Sequence, residues 1–134
     1  MGMITVTSYT TADAAEISGA SYRQLDSWDR LGALVPSDRR AVGSGSRRGY
    51  TLHDVVLASI LLDLSDLGFD SRAKRRVVDR FRAWWPDLDD FPDEVWAGRD
   101  GFLYRTRPQH GLTLVMVRAA AHRDAVTLNS TITD

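Results

Sequence analysis

The stretch TADAAEISGASYRQLDSWDRLGALVP, residues 11–36, decides the fold of this chain. It holds two short amphipathic segments, residues 12–17 and 22–30, on either side of Gly19. Glycine readily adopts the left-handed conformation that ends a helix, and Ser21, directly before the second segment, is a typical N-cap. The stretch therefore predicts two helices joined by a turn of about four residues, which is the helix-turn-helix pattern.

A basic loop follows the second helix. Residues 37–51 read SDRRAVGSGSRRGYT, with glycine and serine at the centre and paired arginines on either side. This pattern predicts two short strands joined by a flexible tip, that is, a basic β-hairpin. The paired arginines are Arg39, Arg40, Arg47 and Arg48.

Two longer helices are predicted after the hairpin. Residues 52–67 carry apolar side chains at helical spacing, with Thr51 as the N-cap and Asp54 outside the apolar stripe. This is the strongest amphipathic pattern in the chain, and we expect it to organise the core. The next helix is predicted over residues 72–85 and ends at Pro86, because proline cannot continue a helix.

The C-terminal part of the chain has a different pattern. Residues 86–100 are acidic and rich in turn residues, which predicts irregular structure. Alternating apolar and polar residues then predict three strands of an antiparallel meander, over residues 102–106, 112–118 and 126–133. The predicted fold class is α+β. A winged helix-turn-helix of four helices plus a β-hairpin wing (residues 1–85) precedes a small C-terminal β meander (residues 86–134).

Composition excludes several classes of protein. The chain has 134 residues, with 43% hydrophobic and 26% charged residues, which is close to the average of soluble globular proteins. It has no cysteine, which excludes a disulfide framework and a thiolate zinc site. The three histidines are far apart and lack partners for a metal site or a catalytic triad. We therefore expect no enzymatic activity, no metal and no cofactor. Without an apolar run of about 18 residues or a leader pattern, we also expect no membrane partner and a cytoplasmic, nucleoid-associated location.

Basic and acidic residues are unevenly distributed, although the formal net charge is only −1. Residues 72–82 hold six basic residues against one acid, whereas residues 87–100 hold six acids against one arginine. Some of the basic residues form an i, i+4 stripe of like charge, which is mildly unfavourable on an isolated helix. The stripe consists of Arg72, Arg76 and Arg80. We expect an anionic partner for it, either phosphate or the acidic residues 87–94.

The order and spacing of these elements resemble the winged DNA-binding domain of the MerR family over residues 9–69. The matching pieces are, in chain order, Tyr9-Thr10-Thr11 with Ala14-Ala15, Gly19-Ala20-Ser21, Arg23-Gln24-Leu25, residues 28–36, residues 47–55 and Leu67-Gly68-Phe69. The chain departs from the family pattern at Asp26 and Ser27, where a basic and an aromatic residue are usual. It also lacks the long coiled-coil helix through which the family normally dimerises. The resemblance implies a winged fold and a role in DNA binding.

The residue types indicate which side chains would contact DNA. A recognition helix places side chains on base edges in the major groove, where arginine suits guanine and glutamine suits adenine. Wing arginines suit the phosphate backbone or the minor groove. Tyr50 is expected to pack with its hydroxyl at the surface. The expected DNA-binding residues are Ser21, Tyr22, Arg23, Gln24, Ser27, Arg30, Arg39, Arg40, Arg47, Arg48 and Tyr50.

The expected function is that of a bacterial or phage transcriptional regulator of repressor type, which binds double-stranded DNA in a sequence-specific way. We expect a homodimer, with residues 86–134 supporting dimerisation or contact with a protein partner. Two alternatives stay open. One is an excisionase-like or architectural protein that bends DNA. The other is a protein-interaction module, such as an antirepressor or inhibitor, that reuses the fold.

Overall fold

The computed structural model describes residues 8–38, 49–109 and 113–133. Within these ranges the chain forms five α-helices and a three-stranded antiparallel sheet, which confirms the α+β class. The helices are α1 (Thr11–Ser18), α2 (Tyr22–Arg30), α3 (Leu52–Asp66), α4 (Ser71–Trp84) and α5 (Ala119–Thr133). The strands are β1 (Val95–Gly98), β2 (Leu103–Tyr104) and β3 (Leu114–Val117), and a single 3₁₀ turn covers Leu88–Asp90.

The first two helices begin and end at the predicted signals. The Thr10 side chain accepts a hydrogen bond from the Asp13 amide and caps α1. Gly19, with φ of 87°, adopts the left-handed conformation and ends that helix. Ser21 caps α2, whose observed bounds are the predicted ones. Local capping chemistry therefore accounts for the turn between the two helices.

The core lies around α3, which is buried along most of its length. Helices α1, α4 and α5 pack against it. Thr51 caps α3 as predicted. Asp70 caps α4, which begins at Ser71, one residue before the predicted start. The largest fully buried side chains are Ile17, Leu25, Leu34, Tyr50, Leu57, Ile60, Leu61, Leu64 and Phe81.

The base of the predicted hairpin is formed by paired backbone. Asp38 and Gly49 exchange two hydrogen bonds of 2.9 Å, and Tyr9 and Tyr50 exchange two of 2.8 Å. Asp38 and Gly49, which flank the predicted hairpin tip, are thus joined by an antiparallel bridge. The hairpin tip, residues 39–48, lies outside the described residues.

The prediction of a third C-terminal strand over residues 126–133 is wrong, because these residues form the second half of α5. The preceding Ala-rich segment favours a helix, and Val126 is buried on the helix face that packs inward. The hydroxyls of Ser130 and Thr131 both donate to the Thr127 carbonyl, so these residues are satisfied within the helix. Tertiary contact with α1 and α3 therefore outweighs the strand preference of the β-branched residues.

The sheet has the strand order β2-β1-β3, with both outer strands antiparallel to β1. β2 and β3 lie within the predicted strands 102–106 and 112–118. The expectation of irregular structure over residues 86–100 is wrong at β1, which forms the centre of the sheet. The strand has only four residues, VWAG, between acidic and turn-forming neighbours, and they show no apolar–polar alternation that would predict a strand. No helix within the described ranges is long and apolar enough to cross a membrane.

Candidate nucleic-acid interface

Helix α2 buries one face and exposes the other. Leu25 and Trp28 are buried in the core, whereas Tyr22 is 55% exposed and Arg23 is also exposed. These two exposed side chains lie in the first turn of the helix. This first turn therefore carries an aromatic hydroxyl and a guanidinium at the surface, which are groups that can contact bases or phosphates.

Ser21 and Gln24 form a reciprocal capping box at the start of α2. The Ser21 hydroxyl accepts from the Gln24 amide at 3.0 Å, and the Gln24 Oε1 accepts from the Ser21 amide at 2.9 Å. A bidentate contact to adenine needs both the oxygen and the nitrogen of the glutamine side chain. The cap already engages the oxygen, so Gln24 in this conformation offers DNA chiefly its side-chain N–H donors.

Arg30 and Ser27 are less available than Arg23. The Arg30 Nε donates to the Asp26 carboxylate at 3.2 Å, one helical turn earlier. Ser27 is half-buried. The ion pair is exposed and worth little to stability, but it partly neutralises the acid that departs from the family pattern. Asp26 is therefore paired within the helix.

Tyr50, which the sequence places among the expected DNA-binding residues with its hydroxyl at the surface, is buried. Its side chain is 1% exposed. Burial, with a smaller effect from Asp29, raises the pKa of Tyr50 to about 12. The ring packs in the core beside the hairpin base, so its role is to anchor that base.

A buried carboxylate, which the sequence places outside the apolar stripe, organises the hairpin base. Asp54 is 1% exposed, and its Oδ2 accepts from the Ser37 amide at 2.8 Å, the Ser37 hydroxyl at 2.7 Å and the Thr51 amide at 3.0 Å. Its Oδ1 accepts from Arg82 at 2.9 Å. The Thr51–Asp54 spacing is a capping-box pattern, and this signal was present in the sequence.

Arg82 extends this network to a second segment, because its Nη2 also donates to the Val35 carbonyl at 3.1 Å. One carboxylate therefore ties together the exit from α2, the start of α3 and the end of α4. The orientation of the hairpin base relative to α2 follows from these contacts.

With this geometry in hand, comparison with known proteins decides the family. The model of the MerR HTH family of regulatory proteins matches residues 9–80, more than half of the chain. This chain belongs to the MerR family. The resemblance stated above is therefore confirmed.

Curated relatives of this MerR-family chain are found in mycobacteria. An uncharacterized HTH-type transcriptional regulator of Mycobacterium bovis is 42% identical over 74 residues, which are 55% of this chain and 33% of the relative. Proteins of the same description from two strains of Mycobacterium tuberculosis match with the same identity and coverage. The match spans about a third of the length of these relatives.

Two side chains of α4 contact α2 of the MerR-family domain and the turn that follows it. The Lys74 Nζ lies 5.5 Å from the centre of the Trp28 ring, and the Arg75 guanidinium lies beside Gly32. Lys74 is buried, and this burial lowers its pKa. These contacts hold the C-terminal end of α2 against α4 and so fix the position of the helix that carries the exposed first turn.

Three expectations from the sequence concern a metal site, the arginine stripe of α4 and the wing arginines. Among the described residues, no group of three or more histidine, aspartate or glutamate side chains is placed to hold a metal ion. Helix α4 and residues 87–94 are both described, and no ion pair joins Arg72, Arg76 or Arg80 to the acidic residues of that segment. The four wing arginines, Arg39, Arg40, Arg47 and Arg48, lie outside the described residues.

Proposed function

We propose that this MerR-family chain is a DNA-binding transcriptional regulator that inserts the first turn of α2 into the major groove. The observation that carries this proposal is the division of α2 into a buried face and an exposed first turn with Tyr22 and Arg23. A helix N-terminus also presents unpaired amides that favour phosphate. The family and the description of the mycobacterial relatives support the same role.

Arg23 is the main base-reading residue in this proposal. It is exposed, and the structure records no ion pair for it among the described residues. Its guanidinium can donate to guanine O6 and N7 together. Gln24 would add a single donor to an acceptor such as thymine O4, since the capping box holds its oxygen. Tyr22, Ser21, Ser27 and Arg30 would contact phosphates or bases at the margin.

Binding-site selection from random duplexes tests the proposal directly. The full chain should enrich one motif, and Arg23→Ala should weaken binding to the selected site by about 10- to 100-fold and relax the preference at one base pair. Arg118→Ala, an exposed arginine between β3 and α5, is the matched control and should bind like the wild type. Failure of the wild type to enrich any motif would refute the proposal.

Gln24→Glu separates a DNA contact of Gln24 from its capping role. Glutamate at this position keeps the capping box, so stability should stay within about 0.5 kcal/mol of the wild type. The variant loses the side-chain donors and places a negative charge near the duplex, so DNA binding should weaken by about tenfold or more. Unchanged affinity with unchanged stability would remove Gln24 from the interface.

The hairpin between Asp38 and Gly49 is the wing in this proposal, and its arginines contact phosphates or the minor groove. Each phosphate contact contributes about −0.9 to the slope of log affinity against log salt. The Arg47→Ala/Arg48→Ala variant should therefore weaken binding to all sequences alike and reduce the slope by about 2. An unchanged slope would place these arginines away from the backbone. Arg39→Ala/Arg40→Ala tests the other strand in the same way.

The proposal also includes a homodimer of repressor type, with residues 1–85 as the DNA-binding unit. Within the described ranges β3 pairs only with β1, so its outer edge is available to a second copy. A two-fold dimer should select a palindrome with half-sites about one helical turn apart. Light scattering of the full chain gives its mass, and a promoter reporter gives the sign of regulation. A monomer on an asymmetric site would contradict this part alone.

A further inference from the structure

A cleft lies between α4 and the turn that joins β1 to β2. It has a volume of about 380 Å³ and is lined by Arg76, Asp79, Arg80, Ala83, Gly101 and Phe102. Pockets for small ligands begin at roughly this size. Two guanidiniums and a ring that is 48% exposed converge on this space. The cleft therefore combines positive charge with an accessible aromatic face.

The turn that carries Phe102 is held tightly against α4. Gly101 has φ of 90°, and a Cβ added there would lie 2.4 Å from the Ala73 carbonyl oxygen. The Gly98 amide donates to the Phe102 carbonyl at 2.9 Å, and the Phe102 amide donates to the Asp100 side chain at 3.1 Å. The ring is thus presented by a turn whose backbone is fixed on both sides.

The arginines of the cleft are also held in place. Arg76 donates to the Asp100 carbonyl at 3.0 Å and lies 5.3 Å from the centre of the Phe102 ring. The Arg80 guanidinium lies 5.1 Å from the centre of the Trp84 ring, and the Arg105 guanidinium lies 4.4 Å from the same centre. Side chains that are ordered before binding lose less entropy when a ligand arrives.

The structure records no carboxylate ion pair for Arg76 or Arg80 among the described residues. Asp79, which lies between them in sequence, is 4.0 Å from Arg75 on the next face of the helix. Two guanidiniums one turn apart repel each other, and an oxyanion between them would relieve this repulsion and accept hydrogen bonds from both. The charge of the cleft is therefore complementary to an external anion.

The cleft faces away from the proposed DNA-reading surface. Lys74, Arg75 and Arg82 mark the side of α4 that contacts α2 and its exit. Arg80 lies two residues before Arg82, so it projects about 200° around the helix axis from it. Helix α4 thus stands between the cleft and α2, and a duplex lying along α2 has this helix between it and the cleft.

We propose that this cleft binds a ligand of the mononucleotide class, in which a phosphate is attached to a planar ring. Arg76 and Arg80 would hold the phosphate, because guanidiniums donate to phosphate oxygens in bidentate fashion. The ring would stack on the face of Phe102 that Arg76 leaves open. The Asp79 carboxylate at the rim would accept from an N–H or O–H group of the ligand. This inference is independent of the proposed role in transcription.

Calorimetric titration of the full chain with the four ribonucleoside monophosphates, inorganic phosphate and the four nucleosides tests this site. At least one monophosphate should bind about tenfold or more tightly than both inorganic phosphate and its own nucleoside, because the phosphate and the ring are held by different groups. Binding no tighter than that of inorganic phosphate would overturn the proposal. So would the absence of binding by all four monophosphates.

Variants locate the site. Arg76→Ala and Arg80→Ala should each weaken nucleotide binding by about tenfold or more, and Phe102→Ala should reduce it by about fivefold or more without changing the affinity for inorganic phosphate. Arg118→Ala, an exposed arginine outside the lining of the cleft, should bind as the wild type does. Thermal melting of each variant verifies its fold. Equal losses in Arg118→Ala would assign nucleotide binding to general charge. Losses of DNA affinity in Arg76→Ala and Arg80→Ala matching that of Arg23→Ala would assign this surface to DNA instead.

Discussion

Asp54→Asn should cost this domain a large fraction of its stability, because four donors converge on one buried carboxylate. Ser37 supplies two of them, Thr51 one and Arg82 one, all within 3.0 Å. Asparagine can keep its oxygen at the Oδ2 position, where three of the donors meet. Its NH₂ group then faces the Arg82 guanidinium, so that two donors oppose each other and the ion pair is lost.

The magnitude follows from these contacts. Breaking a buried pair by removing one charge costs about 3 to 5 kcal/mol. The Arg82 side chain is 33% exposed and can regain water, which favours the lower end of this range. The three remaining bonds also weaken, since bonds to a charged acceptor contribute about 1.5 to 3 kcal/mol against about 1 kcal/mol for neutral ones. We therefore expect a loss of about 3 to 4 kcal/mol in the free energy of unfolding.

Equilibrium unfolding in urea measures this loss. With an m-value of about 2 kcal/mol per molar urea, the midpoint should fall by about 1.5 to 2 M. Asp66→Asn makes the same chemical change at an exposed position of α3 and should stay within about 0.5 kcal/mol of the wild type. If Asp54→Asn loses less than about 1 kcal/mol, or no more than Asp66→Asn, the carboxylate does not organise the hairpin base as argued.

Three further predictions concern other parts of the fold. Because burial holds the Tyr50 pKa at about 12 against 10.0 for the free side chain, stability should be fully retained below pH 10 and fall by about 2 to 3 kcal/mol as the pH rises to 12. Chemical unfolding across this range should show that Tyr50→Phe lacks this component, and identical pH profiles would contradict the burial argument. Gly101→Ala should lower the free energy of unfolding by more than about 2 kcal/mol, because the added Cβ meets the backbone of α4. Gly68→Ala, at a similar φ of 88° but with only a flexible side chain nearby, should cost about 1 kcal/mol in the same assay. His122→Ala removes contacts of 2.9 Å to Ser59 and Asp63, and amide exchange in α5 should accelerate by about tenfold or more if these contacts hold the helix on α3.

The helices of the N-terminal part could be predicted because their signals are local. Thr10, Ser21 and Thr51 accept from amides three residues further on, and Gly19 adopts the conformation that only glycine takes up easily. Such chemistry is decided by a few neighbouring residues. The same locality explains why the bounds of α2 agree with the prediction.

Helix α5 and strand β1 could not be predicted because distant contacts decide them. The Asn129 side chain donates to the Ile17 carbonyl at 3.2 Å, a contact across almost the whole sequence. Strand β1 is stabilised on both edges by strands that follow it in the chain. Neither the β-branched residues of the helix nor the four residues of the strand carry this information.

The sequence indicates the residue types of the candidate interface but not the contacts that each side chain makes. Arg23 and Tyr22 are exposed, as a base-reading role requires. Tyr50 is buried in the core, and the oxygen of Gln24 takes part in the capping box of α2. An aromatic ring or an amide gives the same signal in sequence whether it faces a groove or a helix end, and only geometry separates the two.

The bridge between Asp38 and Gly49 holds together the two ends of the segment formed by residues 39–48. Both of its ends are fastened to one another and, through Ser37, Tyr50 and the Asp54 network, to the interior. A loop anchored in this way can be exchanged for another of different length or charge at small cost to folding, since closure entropy rises slowly with length. In the proposed role of residues 39–48 as the wing, the affinity for DNA could thus be adjusted by replacing ten residues without changing the helices.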